Sequence, residues 1–184
     1  MIIGLDISTS ITGITVVDSA GAVILNEAWD IRKYKNFFKK AQFIENEIKH
    51  LHKKISTHIV KAEWVSAVYI EQSLQSFRSG FSSAKTLSTL SRFNGIVSWL
   101  CFDILGKEPE YIAATSARKK CGIRIPKGTK AKQEVIKFVL DNVPDVVITY
   151  TKHGNPKPNC FDKADSWVIA QAGYLCQKEK SSKF

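Results

Sequence analysis

The chain opens on Met1-Ile-Ile-Gly-Leu-Asp6, an apolar run that begins at the first residue and ends in a single carboxylate. Such a run fits a core strand. A charge carried into the core is costly unless a partner neutralises it, and a metal ion or a phosphate beside Asp6 would be such a partner. Two further places repeat the pattern. Val65-Ser-Ala-Val-Tyr-Ile70 is a second apolar run and ends in Glu71. Phe161-Asp162-Lys-Ala-Asp165-Ser-Trp-Val-Ile-Ala opens the last helix, with two acids on its first turn. Four carboxylates at the ends of core elements point to a metal-dependent phosphoryl-transfer site.

Length and composition fit one soluble domain. The 184 residues are 44% apolar, enough for a sizeable core. The domain is expected over 1–176, followed by a polar, frayed tail over 177–184. The formal net charge of +10 favours a polyanionic partner, nucleic acid or an anionic membrane; a merely soluble basic protein is the alternative. A strand beginning at Met1 leaves no basic leader, so no signal peptide is expected. The apolar stretch from Gly95 to Gly106 is broken by Asp103 and too short to span a bilayer, so no membrane partner is expected. Cys101, Cys121, Cys160 and Cys176 form no CxxC pair and read as reduced thiols of an intracellular protein. That protein would be cytoplasmic in a bacterium or in a virus of a bacterial host, with organelle or nucleus as alternatives. The four histidines show no metal-ligand spacing.

The pattern predicts strands over 1–8, 11–18 and 22–30, with Ser19-Ala-Gly21 as a hairpin turn. Phe37, Phe38, Ala41, Ile44, Ile48, Leu51 and Ile55 recur at helical spacing and predict a helix from Tyr34 to Ser56. Its other face carries Lys39, Lys40, Lys49, Lys53 and Lys54. A buried strand over 65–70, a Ser/Gly-rich stretch over 72–83 and an apolar helix from Ala84 to Leu105 follow. A short strand over 110–114, a helix over 130–142 and the final helix complete the order.

Three antiparallel strands followed by helix–strand alternation give the order of an RNase H-like α/β fold, a mixed five-stranded sheet flanked by helices. The chain resembles the RuvC-type Holliday junction resolvases over nearly its whole length. The resemblance rests on Gly4-Leu-Asp6 after the first strand, Ile70-Glu71-Gln72 after the fourth, Asp162-x-x-Asp165 followed by Ser-Trp-Val-Ile-Ala, and the basic segment before it.

Phosphodiester hydrolysis needs an activated water and stabilisation of a leaving alkoxide. Two divalent ions roughly 3.5–4 Å apart supply both, and oxygen ligands suit Mg²⁺, with Mn²⁺ able to substitute. Asp162 and Asp165 are three residues apart and share one helix face. Asp6, at the sheet centre, would bridge both ions, and Glu71 would complete the cage. Taken alone, Asp162 could cap its helix, Asp165 could serve the helix dipole, and Glu71 could be a strand-end surface charge.

Between Tyr111 and Gln133 stand seven Lys or Arg residues and no acid. A solvated surface run is the ordinary reading of such charges; the absence of acids argues for phosphate binding. The resemblance assigns junction contacts to this region. Lys119 and Lys132 match its basic positions best, with Arg118, Lys120 and Lys130 as further candidates. The loop after Glu71 holds Leu74, Phe77 and Phe81 among Ser and Gly. Its aromatics either wedge between bases or fold back onto the core. The family carries an aromatic three residues after the glutamate; here that position is Leu74.

The resemblance thus implies a structure-selective endodeoxyribonuclease that cuts four-way DNA junctions in pairs with two Mg²⁺, leaving 5′-phosphate and 3′-hydroxyl ends. It also implies a homodimer. The apolar helix 84–105 offers the dimer face through Phe93, Ile96, Val97, Leu100 and Phe102, unless it is buried on both sides within the monomer. Other RNase H-like activities, on flap, nicked or RNA-containing substrates, are the alternative. Gly4-Leu-Asp6-Ile-Ser-Thr-Ser10 with Gly13 also resembles the phosphate loop of sugar kinases and actin-like ATPases. Those proteins need a second domain for which this chain has no room.

Overall fold

The computed structural model describes residues 1–58, 64–72 and 84–182. The strands are β1 (Ile2–Asp6), β2 (Ile11–Val17), β3 (Val23–Asp30), β4 (Ala67–Glu71) and β5 (Glu110–Ile112). They form one sheet in the order β3-β2-β1-β4-β5. β2 is antiparallel to both β1 and β3, while β4 is parallel to β1 and β5 is parallel to β4. Four strands therefore run in one direction and end at one pole of the sheet; only β2 starts there. β1, which carries Asp6, is the central strand.

The pleat sorts the apolar strand residues between two cores. Ile3, Leu5, Ile14, Val16, Val68 and Ile70 pack on one face beneath α1 (Phe37–His58) and α2 (Ala84–Leu105). Ile2, Val17, Ala67 and Tyr69 pack on the other, beneath α3 (Ala114–Lys120), α4 (Ala131–Asn142) and α5 (Pro158–Ser181). Burial on both faces explains why β1, β2 and β4 read as continuous apolar runs rather than alternating ones.

Helix α5 lies unusually close to the sheet, and two glycines permit it. A Cβ on Gly4 would run into the backbone of Ala170, and one on Gly13 would run into the carbonyl of Asp162. Because Gly13 pairs with Asp6, this close approach sets the start of α5 directly over the acid of β1.

Several boundaries differ from the sequence expectation. Helix α1 starts at Phe37 rather than Tyr34, because the Asn36 side chain accepts hydrogen bonds from the amides of Phe38 (2.9 Å) and Lys39 (3.1 Å) and caps it. Helix α3 was not anticipated. Helix α5 begins at Pro158, so Asp162 and Asp165 lie beyond its first turn and its cap position is Lys157. This removes the reading of Asp162 as a cap. The expected frayed tail from Gln177 is still helix through Ser181. Gln177 donates to the Tyr69 hydroxyl at 3.0 Å, and Lys180 bonds both Glu110 oxygens at 3.0 Å. The four cysteines are free thiols. Among the described residues no helix is long and apolar enough to cross a membrane.

Candidate active site

Asp6 ends β1 and Glu71 ends the neighbouring β4, so both acids reach the same pole from adjacent strands. Asp162 and Asp165 arrive from above on α5. All four are half-buried. The turn of α5 that carries them is tied to the sheet by a buried polar network. Asn26 Nδ2 donates to Thr15 Oγ1 (2.7 Å) and to the Lys163 carbonyl (2.9 Å). Ser166 Oγ donates to that carbonyl at 2.9 Å and lies 2.9 Å from Thr15 Oγ1. These bonds hold the α5 turn to β2 and β3, although Asn26 Oδ1 is buried without a partner among the described residues.

The carboxylates act on one another. Burial pushes Asp6 well above the ordinary aspartate range, and the charges of Glu71, Asp165 and Asp162 push it further. Glu71 rises to about 7, chiefly through burial and then through Asp165. Asp162 rises to about 6 through burial, with Asp165 adding to it. Burial also raises Asp165. Like charges crowded in a half-dry pocket resist ionisation together, and the four acids form one electrostatic unit.

Cations oppose this. Lys132 Nζ lies 3.5 Å from Asp165 Oδ2, and its charge favours ionisation of all four acids. In return, Asp165, Asp6 and Asp162 outweigh the partial burial of Lys132 and raise its own pKa. Arg118 acts in the same sense on Glu71 and Asp165. It is steadied by a bond from its Nε to the Ala114 carbonyl at 3.0 Å.

The other basic candidates separate. Lys119 and Lys130 are exposed and make no ion pair among the described residues. Lys120 does not join the site; its ammonium bonds both oxygens of Glu179, near the far end of α5, at 2.8 Å. Leu74, Phe77 and Phe81 lie outside the described residues. Sequence reasoning missed Arg32, whose charge lowers Asp162. It also missed Asn94, buried in α2, whose side chain reaches toward the Glu71 carbonyl at 3.5 Å.

An oxygen-only donor set of carboxylates held from ionising by burial and then by their mutual repulsion has the chemistry that suits a hard divalent cation. Among the described residues, however, no three His, Cys, Asp or Glu side chains are drawn together tightly enough to hold a metal ion. The Lys132 ammonium occupies part of the space between α4 and the acids.

No protein-family model matches the chain, and no curated protein matches it. Solved structures do. The chain is similar to Thermus thermophilus RuvC in complex with Holliday junction substrate, with a TM-score of 0.66 and 15% identity over 97% of this chain and 94% of that one. It is similar to Thermus thermophilus RuvC alone, with a TM-score of 0.62 and 15% identity over 97% and 96%. The yeast mitochondrial Holliday junction resolvase Ydc2 gives a TM-score of 0.59 and 14% identity over 98% of this chain and 80% of that one. At such identities the likeness is one of architecture. The mixed five-stranded sheet with its two helical layers has the RuvC-type RNase H-like fold.

Proposed function

We propose that the chain is a structure-selective endodeoxyribonuclease that resolves four-way DNA junctions by paired phosphodiester hydrolysis. The observation that carries this reading is the convergence of Asp6, Glu71, Asp162 and Asp165 from three elements at one pole, with Lys132 and Arg118 beside them. The likeness to resolvase structures, one of them holding junction DNA, supports it. Asp6, Glu71, Asp162 and Asp165 are the residues that would hold two Mg²⁺ ions, or Mn²⁺, as an all-oxygen donor set. When bound, such ions activate a water and stabilise the leaving oxygen. The protein's own part is to fix the carboxylates through the Asn26–Thr15–Ser166 network and to lower their pKa values with Lys132 and Arg118. Lys119 and Lys130, exposed beside this pole, would hold the DNA backbone. Leu74, Phe77 and Phe81 are the candidates, on sequence position alone, for entering the opened junction centre.

A homodimer would place two such sites for symmetric cuts. Phe93, Val97 and Leu100, proposed from sequence for the dimer face, are core residues. Exposed rings stand instead at Phe38 (73% exposed) and Trp99 (60%), which line the groove between α1 and α2, and at Phe102 (54%) further along α2. Exposed rings gathered on two adjoining helices are a surface suited to a partner, and we assign the second subunit there.

The test is cleavage of a panel of four-way junctions, flaps, nicked duplex, RNA–DNA hybrid and linear duplex in Mg²⁺. Paired cuts in the four-way junction, lost in Asp6→Asn and Asp165→Asn while junction binding persists, are expected, because binding rests on phosphate contacts elsewhere. Substantial cutting by either variant would sink the metal site. Equal or better cutting of flaps or hybrid would redirect the substrate assignment.

A further inference from the structure

The topology brings a second basic segment to the catalytic pole. β3 runs parallel in sense to β1, since both are antiparallel to β2. The chain therefore leaves β3 at the end of the sheet where Asp6 and Glu71 stand. It leaves through Ile31-Arg-Lys-Tyr-Lys-Asn-Phe-Phe-Lys-Lys40, which holds five basic side chains and no acid. β5 leaves at the same pole on the opposite edge of the sheet and leads into α3 with Arg118 and Lys119. The acids lie between these two basic segments.

The segment is held in place rather than trailing in solvent. Ile31 is fully buried, and its amide donates to the Ser10 carbonyl at 2.9 Å. Lys40 Nζ donates to the Thr9 carbonyl, in the loop that follows Asp6. Tyr34 and Phe37 pack against the core. Between these anchors Lys33, Lys35 and Lys39 are exposed and make no ion pair among the described residues. Lys33 Nζ rests 5.0 Å from the Tyr34 ring centre and 5.5 Å from that of Phe43, a cation–π seat that orders the ammonium without cancelling its charge. Lys49 and Lys54, further along α1, are by contrast paired with Glu45 and Glu27. Arg32 is bound by Asp30 through both carboxylate oxygens, yet its field still reaches Asp162. Lys33 also acts on Asp30, which Arg32 already binds, so the five cations of the segment leave net positive charge at the pole where the acids stand.

We propose that Lys33 and Lys35, with Lys39 beside them, form a second phosphate-contact strip for a nucleic-acid backbone on the β3 edge of the active pole, opposite the α3–α4 segment. The strand to be cut then crosses the sheet end over Asp6, gripped on both sides. This deepens the nuclease reading above and rests on it for the position of the cut.

The experiment is equilibrium binding of the full chain, held in chelator to prevent cutting, to a labelled four-way junction and to a linear duplex across a range of salt. Each lost phosphate contact lowers the log–log salt slope by about 0.9. The double variant K33A/K35A is expected to lose about two units of slope at unchanged thermal stability, and K119A about one. K53A, an exposed lysine at the other end of α1, is expected to lose none. A slope for K33A/K35A equal to that of the parent, with K119A reduced, overturns the strip. A reduced slope on both DNAs with no preference for the junction keeps the strip and overturns the junction reading. Failure of the parent chain to bind either DNA overturns both.

Discussion

Lys132 Nζ stands 3.5 Å from Asp165 Oδ2, an exposed ammonium reaching across to a carboxylate that keeps only 17% of its side-chain surface. A pair so open on the lysine side adds little to stability, on the order of 0–1 kcal/mol. Its effect falls on the protonation of the acids. Lys132→Met is expected to leave Tm within about 3 °C of the parent and to raise the pKa of Asp165, Asp6 and Glu71. The rising limb of the cleavage–pH profile should then move to higher pH, and carboxyl NMR titration of the metal-free protein should show the same shift. An unmoved titration would remove Lys132 from the electrostatic unit.

The raised acids also make the metal-free protein sensitive to pH. Glu71 titrates near 7 and Asp162 near 6 in the folded chain, against about 4.3 and 3.9 when unfolded. Between those values the folded state holds more protons than the unfolded state. Stability is therefore greatest below about pH 4 for these two groups and is lost as pH rises through about 7. In chelator, Tm should fall between pH 5 and pH 8, by about 2–4 °C for each kcal/mol involved. Glu71→Gln should flatten part of that fall. A Tm that rises over this interval in the parent, and equally in the variant, would contradict it.

Gly13 is where the sheet and α5 touch beside the acids. Gly13→Ala would place a methyl group against the Asp162 carbonyl, and overpacking of this kind costs about 1–3 kcal/mol. The expected result is a lower Tm by urea or thermal melts together with a cleavage rate reduced more than junction affinity, because Asp162 is displaced. Wild-type stability in Gly13→Ala would show that α5 can lift without cost.

The α1–α2 surface predicts the assembly state. Trp99→Asp, alone or with Phe38→Ser, should convert a dimer to a monomer in sedimentation equilibrium with Tm nearly kept, since neither ring is buried within the subunit. Paired cutting should become single, uncoupled nicking. A parent chain that sediments as a monomer at every concentration tested would refute the assignment.

Much of this architecture was legible because it obeys local rules. β1 and β4 announce themselves as apolar runs ending in acids, and α2 begins and ends where its pattern says. The start of α5 was readable too, since Pro158 suits the first helical position, but the conspicuous acids drew the boundary to Phe161. Helix α3 is only seven residues long and lies between a short strand and a glycine turn, where periodicity carries little signal. Long-range charge pairing was not legible at all. Lys120 stood among the further candidates beside Lys119, and nothing local showed that the fold brings Glu179 to it across 59 positions of sequence. Of the lysines after β3, Lys39 and Lys40 read as the polar face of a helix and Lys33 and Lys35 drew no reading, because their meaning depends on which end of the sheet that strand leaves.

The shared direction of β1, β3, β4 and β5 leaves the opposite pole of the sheet to the tight turn at Asp18, where the aspartate side chain accepts from the amides of Ala20 and Ala22 at 2.8 Å. Ser19 and Ala20 are exposed there, a whole strand length from the acids. A fluorophore attached at Ala20 through an engineered cysteine would therefore report on DNA engagement from behind the working surface, and a tether placed there would let a single molecule be immobilised with its cutting end facing solution.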